Sequence, residues 1–226
     1  MRRRLMTIIA AFACCLMMCG QSKPSVTIFG DSYSTFEGYV TPDSMELWYF
    51  KGNTLNRTDV IDVKQTWWWQ LIKEKGWKLE RNNSWSGSTI SYSGYNKADY
   101  RPRSFITRVD NLGTPDIILL FGATNDAWAG SPIGEYKYEG FQDNDFYAFR
   151  PAFAYLLEQL QERYPTADLY VISNCELREE IPSSMQAICS HYGVEMIQLK
   201  DIDKKNGHPT IKGMKQIAEQ VGAHIK

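Results

Sequence analysis

The chain has 226 residues, of which 43% are apolar and 13% aromatic, and this is enough to bury the core of a single domain. Its 25 basic and 26 acidic side chains nearly balance, without a block of like charge. The sequence contains no low-complexity stretch and no repeat of fixed period, so the composition excludes a disordered or fibrous protein.

The first segment has the layout of an export signal. Three arginines at positions 2–4 precede an apolar run over residues 5–18, and this run is shorter than the roughly 20 apolar residues that a membrane helix needs. Residues 16–19, Leu-Met-Met-Cys, resemble a bacterial lipobox, whose cysteine becomes the lipidated first residue. We therefore expect a signal peptide over 1–18, lipidation of Cys19, a tether over 19–25 and a single domain over 26–226.

This leader predicts where the protein is found and what it contacts. We expect an exported cell-envelope lipoprotein, facing the periplasm or the surface and held to the membrane by its lipid anchor alone, with plain secretion as the alternative. Removing residues 1–18 takes away three basic side chains and no acidic ones, leaving a net charge of about −4 that argues against nucleic acid as a partner. Cys14, Cys15 and Cys19 belong to the leader, so Cys175 and Cys189 remain, either as a disulfide or as two buried thiols.

Predicted strands and helices alternate along the rest of the chain. Short apolar runs predict strands, and apolar residues at helical spacing, bounded by capping residues or glycine, predict helices. In chain order the predictions are a strand over 26–29, a helix between Thr66 and Gly76, a strand over 77–82, a helix near 104–111, a strand over 116–121, a helix capped by Asp145 with apolar positions from 149 to 160, a strand over 169–172, a helix over 183–191, a strand over 194–199 and a helix over 210–222.

This alternation predicts the fold class. Strand–helix–strand units make right-handed crossovers and a parallel sheet covered on both faces, that is, a three-layer α/β/α sandwich with a five-stranded parallel sheet. In the predicted strand over 116–121, the apolar run that follows Asp116 is typical of a strand buried on both sides. In such sheets reactive groups gather beyond the carboxyl ends of the strands, so the loops after the strands are the place to look for chemistry.

Four of these loops carry polar residues that suit one reaction. Residues 30–34 (GDSYS) follow the first predicted strand, 83–87 (NSWSG) the second, 122–126 (GATND) the third and 207–209 (GHP) the fifth. In order and spacing they resemble the four blocks of the SGNH, or GDSL, hydrolase family, and the resemblance covers nearly all of the chain after the leader. It implies the flavodoxin-like fold of that family and a carboxylic ester hydrolase.

The resemblance implies a role for each of four residues. Ser32 would be the nucleophile, His208 its base, and Gly87 and Asn125 would complete with Ser32 an oxyanion hole. The chemistry is consistent, because a serine hydroxyl needs a base to take its proton and the developing oxyanion needs aimed donors. Of the three histidines, only His208 falls on a loop that follows a strand.

One position departs from the family pattern. The family usually has an aspartate three residues before the histidine to orient its ring, and here that position is Lys205. Asp203, five residues before His208, is the nearest acid and a candidate for this role. The alternative is a backbone carbonyl, which can hold the imidazole in the needed tautomer without supplying a charge. Neither a metal nor an organic cofactor is expected, since the chain has no paired-histidine helix and no phosphate-binding loop.

The loops around the expected site are rich in aromatic residues with polar edges, which suit the flat apolar faces of sugar rings. We expect Asp31, Tyr33, Trp85 and Trp128 to contact the substrate, and the substrate to be a small acyl ester, acetyl in particular, on a carbohydrate. A lysophospholipase or thioesterase is an alternative within the family. A non-catalytic glycan-binding lipoprotein on a degenerate hydrolase scaffold is an alternative of another class.

Overall fold

A computed structural model of the chain describes residues 22–53 and 57–225, so the predicted leader and Cys19 lie outside the described residues. Five parallel strands form one sheet in the order β2-β1-β3-β4-β5. The strands are β1 (Ser25–Gly30), β2 (Lys78–Ser84), β3 (Ile117–Gly122), β4 (Asp168–Ser173) and β5 (Glu195–Gln198). The predicted five-stranded parallel sheet is confirmed.

Helices cover both faces of this sheet. They are α1 (Trp67–Lys75), α2 (Phe105–Arg108), α3 (Thr124–Ala129), α4 (Phe149–Arg163), α5 (Glu180–Tyr192) and α6 (Ile211–His224). Helices α1 and α6 pack on one face, and α2, α4 and α5 pack on the other. The result is the expected three-layer sandwich.

The central strand β3 shows why helices pack on both faces of the sheet. Its alternate side chains point to opposite faces, so Leu119 and Phe121 enter the core under α1 and α6, whereas Ile118 and Leu120 enter the core under α4 and α5. These four side chains are almost fully buried, at 0–1% exposure. A strand with two buried faces favours apolar side chains at every position, which explains its continuous apolar run.

Several helix ends differ from the sequence predictions. Asp145 does not cap α4. It lies in a preceding 3-10 turn, Asp143–Tyr147, and accepts hydrogen bonds from the Gln142 N–H and from Lys137 Nζ, both at 2.6 Å. The first N–H groups of α4 donate instead to the carbonyls of residues 132 and 133, at 2.7 and 2.9 Å, so tertiary contacts replace the expected cap.

Other boundaries shift by less. The Thr66 hydroxyl donates to the Val63 carbonyl at 2.7 Å rather than capping α1, and α5 begins at Glu180, three residues before the predicted start. Helix α2 has only four residues, and the short helix α3 was not predicted at all.

Both cysteines in the described part of the chain are free and buried. Of the two alternatives that the sequence left open, a disulfide or two buried thiols, Cys175 and Cys189 therefore form the second. Burial raises the pKa of Cys189 to about 12. None of the helices within 22–53 and 57–225 is both long and apolar enough to cross a membrane.

Candidate active site

The turn after β1 holds Ser32 in a fixed position. A Cβ on Gly30 would come within 2.7 Å of Ser34 and Ser84, so this close approach requires glycine. Ser32 opens a single 3-10 turn, Ser32–Ser34, in which Asp31 Oδ1 accepts the Tyr33 N–H at 3.0 Å. The nucleophile candidate is thus placed by a rigid turn at the carboxyl end of a central strand.

His208 reaches this turn on a small β-hairpin. Strand β5 lies at the edge of the sheet, separated from β1 by β3 and β4. After it, β6 (Lys204–Lys205) and β7 (His208–Pro209) form an antiparallel pair around the two residues 206 and 207, both with positive φ, as a tight type I′ connection requires. The hairpin brings His208 Nε2 to 2.9 Å from Ser32 Oγ.

Hydrogen bonds from three directions hold this hairpin over the sheet. The hydroxyl of Tyr33 donates to the Gly207 carbonyl at 2.5 Å, and that of Tyr49 donates to the Pro209 carbonyl at 2.9 Å. The Asn206 side chain donates to the Arg57 carbonyl at 2.9 Å. The position of His208 therefore depends on residues far from it in the sequence.

The surroundings of His208 fix its tautomer and its charge. Its Nδ1 lies 3.0 Å from the Asn206 carbonyl, which can only accept, so Nδ1 carries the hydrogen and Nε2 is free to accept from Ser32. Burial lowers the pKa of His208 to about 4, with smaller effects of the cations Arg57 and Lys204 in the same direction. The ring is therefore a neutral acceptor at neutral pH.

Asp203 is not the hydrogen-bond partner of His208 Nδ1. Its carboxylate accepts the Thr210 hydroxyl at the start of α6, and its N–H donates to Gln216 Oε1 at 2.8 Å. Of the two alternatives that the sequence left open, the structure has the backbone carbonyl, contributed by Asn206.

Three adjacent strands bring the oxyanion candidates to one rim of the sheet. Ser32 follows β1, Gly87 follows β2 and Asn125 lies at the start of α3, directly after β3. Within the described part of the chain, neither the Ser32 N–H nor the Gly87 N–H has an acceptor. Gly87 has φ +79°, a left-handed conformation that glycine adopts without strain. The arrangement leaves two backbone donors without an acceptor on neighbouring loops at this rim.

The amide of Asn125 is oriented by two partners. Its Oδ1 accepts the Tyr95 hydroxyl at 2.8 Å, and its Nδ2 donates to the Ser88 carbonyl at 3.0 Å. Since an amide NH₂ has two hydrogens, one remains for a ligand. Tyr95 was not singled out from the sequence, because its role depends on a contact across 30 residues.

Two buried ionic residues, Asp126 and Arg108, support the loop that carries Gly87, and neither was identified from the sequence. Asp126 accepts the N–H groups of Ile90 and Ser91, at 2.7 and 3.0 Å, and burial raises its pKa to about 6. Its place directly after Asn125 was the available signal, but the sequence allowed a simple turn there.

Arg108 is the second of these residues, and it is only 5% exposed. Its guanidinium donates to Asn83 O and Oδ1 at 2.7 and 2.5 Å, to Ser88 Oγ at 3.0 Å, to Gly30 O at 3.3 Å and to Arg103 O at 3.0 Å. It thereby joins the turn that carries Ser32 to the loop that carries Gly87. Burial lowers its pKa to about 9, so it remains charged at neutral pH.

The residues expected to contact substrate fall into two groups. Asp31 and Tyr33 are fully buried and bonded within the protein, which corrects the prediction for both. Burial raises the pKa of Asp31 to about 7, although Arg108 and the Tyr33 N–H act in the opposite direction. Trp85 is half-buried against Arg103, whose guanidinium lies 5.3 Å from the indole.

Trp128, in contrast, is 44% exposed, and its ring centroid lies 5.8 Å from that of His208. It is thus an exposed aromatic surface directly beside the imidazole. Within 22–53 and 57–225, no group of three or more His, Cys, Asp or Glu side chains is placed to hold a metal ion.

Comparison with known proteins shows which family the chain belongs to. The family model for GDSL-like lipases and acylhydrolases matches residues 24–225. The chain belongs to this family. A GDSL-like lipase structure from Bacteroides ovatus is 57% identical, has a TM-score of 0.88 and aligns over 90% of this chain and 98% of its own. Its counterpart from Bacteroides uniformis is 54% identical with the same TM-score, over 91% and 97% of the two chains.

More distant solved structures of the same fold include a carbohydrate esterase. A family two carbohydrate esterase from Clostridium thermocellum, solved in complex with cellohexaose, is 15% identical with a TM-score of 0.63, over 91% of this chain and 64% of its own. At this identity the likeness concerns the fold alone. Among curated proteins the search found no match.

Proposed function

We propose that this member of the GDSL-like family is a serine esterase that removes small acyl groups, acetyl in particular, from carbohydrate. The observation that carries the proposal is the 2.9 Å contact between Ser32 Oγ and His208 Nε2, with the His208 tautomer set by the Asn206 carbonyl. A neutral imidazole in this tautomer is the base that an esterase serine needs.

The reaction follows from these groups. As Ser32 Oγ attacks the ester carbon, its proton passes to His208 Nε2, and the carbonyl oxygen becomes an oxyanion. The N–H groups of Ser32 and Gly87 and the Asn125 amide donate to that oxyanion, and the loss of one such donor typically costs about 3 kcal/mol. The imidazolium then protonates the departing alcohol, and water releases the acyl group from Ser32 by the same steps in reverse.

Trp128 supports carbohydrate as the alcohol. His208 protonates the leaving oxygen, so the alcohol must lie on the imidazole side of the site, where the exposed indole of Trp128 lies. An indole face suits the apolar face of a sugar ring. A lysophospholipase or thioesterase would instead place a long acyl chain in the site, and a glycan-binding protein without catalysis would use the same aromatic surface.

Turnover measurements separate these functions. We expect the purified protein to hydrolyse p-nitrophenyl acetate faster than the octanoate ester, to release acetate from acetylated polysaccharide, and to lose both activities in Ser32→Ala. Ser183→Ala, on the exposed surface of α5, is the matched control and should retain full activity. Equal rates for wild type and Ser32→Ala would support a non-catalytic binding protein, and a preference for octanoate would support a lipase.

A fluorophosphonate probe gives an independent readout, because it reacts only with an activated serine. Mass spectrometry should locate the adduct on Ser32 in the wild type and find none in His208→Ala. An adduct on another serine would overturn the assignment of the nucleophile.

We also propose that the protein is exported and tethered to the membrane through lipidated Cys19. Metabolic labelling with a fatty acid should mark the wild type and not Cys19→Ala. A labelled Cys19→Ala protein, or an unlabelled wild type, would exclude this anchor.

A further inference from the structure

The imidazole of His208 lies flat on the indole of Trp48. The two ring centroids are 3.5 Å apart and the ring planes are 7° from parallel. The other aromatic neighbours of His208 meet it at an angle, Tyr33 at 53°, Trp128 at 67° and Tyr49 at 76°, with centroids 5.2–6.5 Å away. Trp48 is therefore the neighbour that presents its π face to the imidazole.

Contacts of its backbone and of its ring hold Trp48 in this position. The backbone N–H of Trp48 donates to Thr35 Oγ1 at 2.9 Å, and the same hydroxyl donates to the Ser32 carbonyl at 3.1 Å. The guanidinium of Arg57 lies over Trp48 at 5.1 Å from its centroid. The stack is thus linked by hydrogen bonds to the turn that carries Ser32, so its geometry relative to the serine is set by the fold.

The stack lies at a site that lacks the aspartate by which the family usually balances the charge of the protonated histidine. When His208 takes the serine proton it becomes a buried cation, and the residue that usually balances this charge in the family, an aspartate, is replaced by Lys205. The Asn206 carbonyl supplies only a dipole. The charged groups that act on the ring, Arg57 and Lys204, are both cations and oppose its protonation. The neighbouring phenols, Tyr33 and Tyr49, are neutral.

An indole face attracts a cation through its quadrupole, and tryptophan does so more strongly than tyrosine or phenylalanine. We propose that Trp48 is a positioning residue that holds the His208 ring plane and stabilises the imidazolium, and so performs with its π face the role that an aspartate has elsewhere in the family. This inference rests on the proposed function for its catalytic meaning. The stabilisation of the imidazolium is a property of the stack itself.

A series of fluorinated tryptophans placed site-specifically at position 48 tests the proposal. Each added fluorine withdraws electron density from the ring face with little change in ring size. We expect the pKa of His208, measured by NMR titration, to fall steadily across the series, with a total loss of imidazolium stability of about three- to tenfold. The kcat/KM for p-nitrophenyl acetate should fall in proportion. The same series at Trp77, outside the site, should change neither quantity.

Simple substitutions provide a second measurement. Trp48→Phe keeps a stacked but weaker ring, and Trp48→Leu keeps volume without a π face. We expect kcat to decrease from Trp to Phe to Leu, with Phe recovering most of what Leu loses. Equal kcat for Phe and Leu, or a His208 pKa that does not respond to fluorination, would overturn the proposal.

The NMR titration needs no turnover. If the wild type hydrolyses no ester, the proposed function fails, but the response of the His208 pKa still decides whether Trp48 stabilises the imidazolium. A normal turnover without any fluorine dependence would leave the esterase standing and refute the role of Trp48.

Discussion

Replacing Arg108 by methionine tests whether this side chain positions the loops that carry the proposed oxyanion donors, the N–H groups of Ser32 and Gly87. The side chain is 5% exposed and donates five hydrogen bonds, two of them to the carbonyl and side-chain oxygens of Asn83. Methionine fills much of the same space but has no donor. The change therefore leaves buried acceptors without the partner that Arg108 supplies.

The size of the effect follows from the number of acceptors affected. An unsatisfied buried acceptor costs about 1–3 kcal/mol. Gly30 O also accepts the Trp85 N–H, at 3.1 Å, so it keeps a partner. The carbonyl oxygen of Asn83 lies in β2 and keeps its pairing with β1, so the side-chain oxygen of Asn83 is the acceptor left without a partner, and the free energy of unfolding falls by about 1–3 kcal/mol. At about 2–4 °C per kcal/mol for a domain of this size, Tm falls by roughly 2–12 °C.

The variant should also lose activity while folded. Arg108 fixes Gly30 and Ser88, which flank the donors on Ser32 and Gly87. Because displacement of a single oxyanion donor costs up to about 3 kcal/mol of transition-state stabilisation, we expect kcat to fall by about 10- to 100-fold with little change in KM. Arg108→Lys keeps the charge and can still donate to Asn83, so it should recover part of the Tm and less of the kcat.

Thermal unfolding by circular dichroism and steady-state kinetics at 25 °C measure the two effects separately. Arg163→Met is the control, because its ion pair with Asp110 at 2.8 Å joins side chains that are 43% and 67% exposed, and such pairs contribute under about 1 kcal/mol. If Arg108→Met stays folded and keeps kcat within about twofold of the wild type, Arg108 does not position the oxyanion donors and the reasoning is wrong.

Three further predictions concern ionisable groups. Asp203→Ala should leave kcat within about threefold of the wild type, since its carboxylate binds Thr210 and not the imidazole; a loss of 100-fold or more would restore Asp203 as the orienting acid. The kcat/KM profile should stay level down to about pH 5 and fall through the His208 pKa of about 4, because only the neutral ring accepts the serine proton. Arg57→Gln should move this limb to higher pH by removing a like charge, and a limb near pH 6.5 in the wild type would contradict the burial of the ring. Asp31→Asn should raise Tm more at pH 8.5 than at pH 5.5, because the folded-state pKa of Asp31 is raised to about 7 and stability is lost as pH rises through it; a larger gain at the lower pH would refute this sign.

The order of elements was readable from the sequence because it depends on local periodicity. A strand covered on both faces favours apolar residues throughout, as in β3, and an amphipathic helix repeats its apolar residues every three or four positions, as α4 does. Alternating strands and helices then leave few topologies. The exact helix starts were less predictable, since the first turn of α4 is satisfied by carbonyls of residues 132 and 133 and not by a local cap.

The hairpin that carries His208 has a signal in the sequence, but the flanking residues were too few to support a prediction from it. An Asn-Gly pair is a strong signal for a two-residue hairpin turn, and residues 206 and 207 are such a pair. The flanking strands have only two residues each, so no alternation was available to support the signal. His208 reaches Ser32 across β3 and β4, and this placement depends on tertiary hydrogen bonds from the hydroxyls of Tyr33 and Tyr49.

The sequence by itself determined the fold class and the four loops with polar residues, because both follow from patterns among neighbours along the chain. The tertiary structure decided which groups act on those residues. It placed the Asn206 carbonyl, and not Asp203, at His208 Nδ1, buried Asp31 and Tyr33, and placed Trp48 and Arg108 against residues distant in sequence. Such contacts depend on how packed elements converge at one rim of the sheet, and no local pattern encodes that convergence.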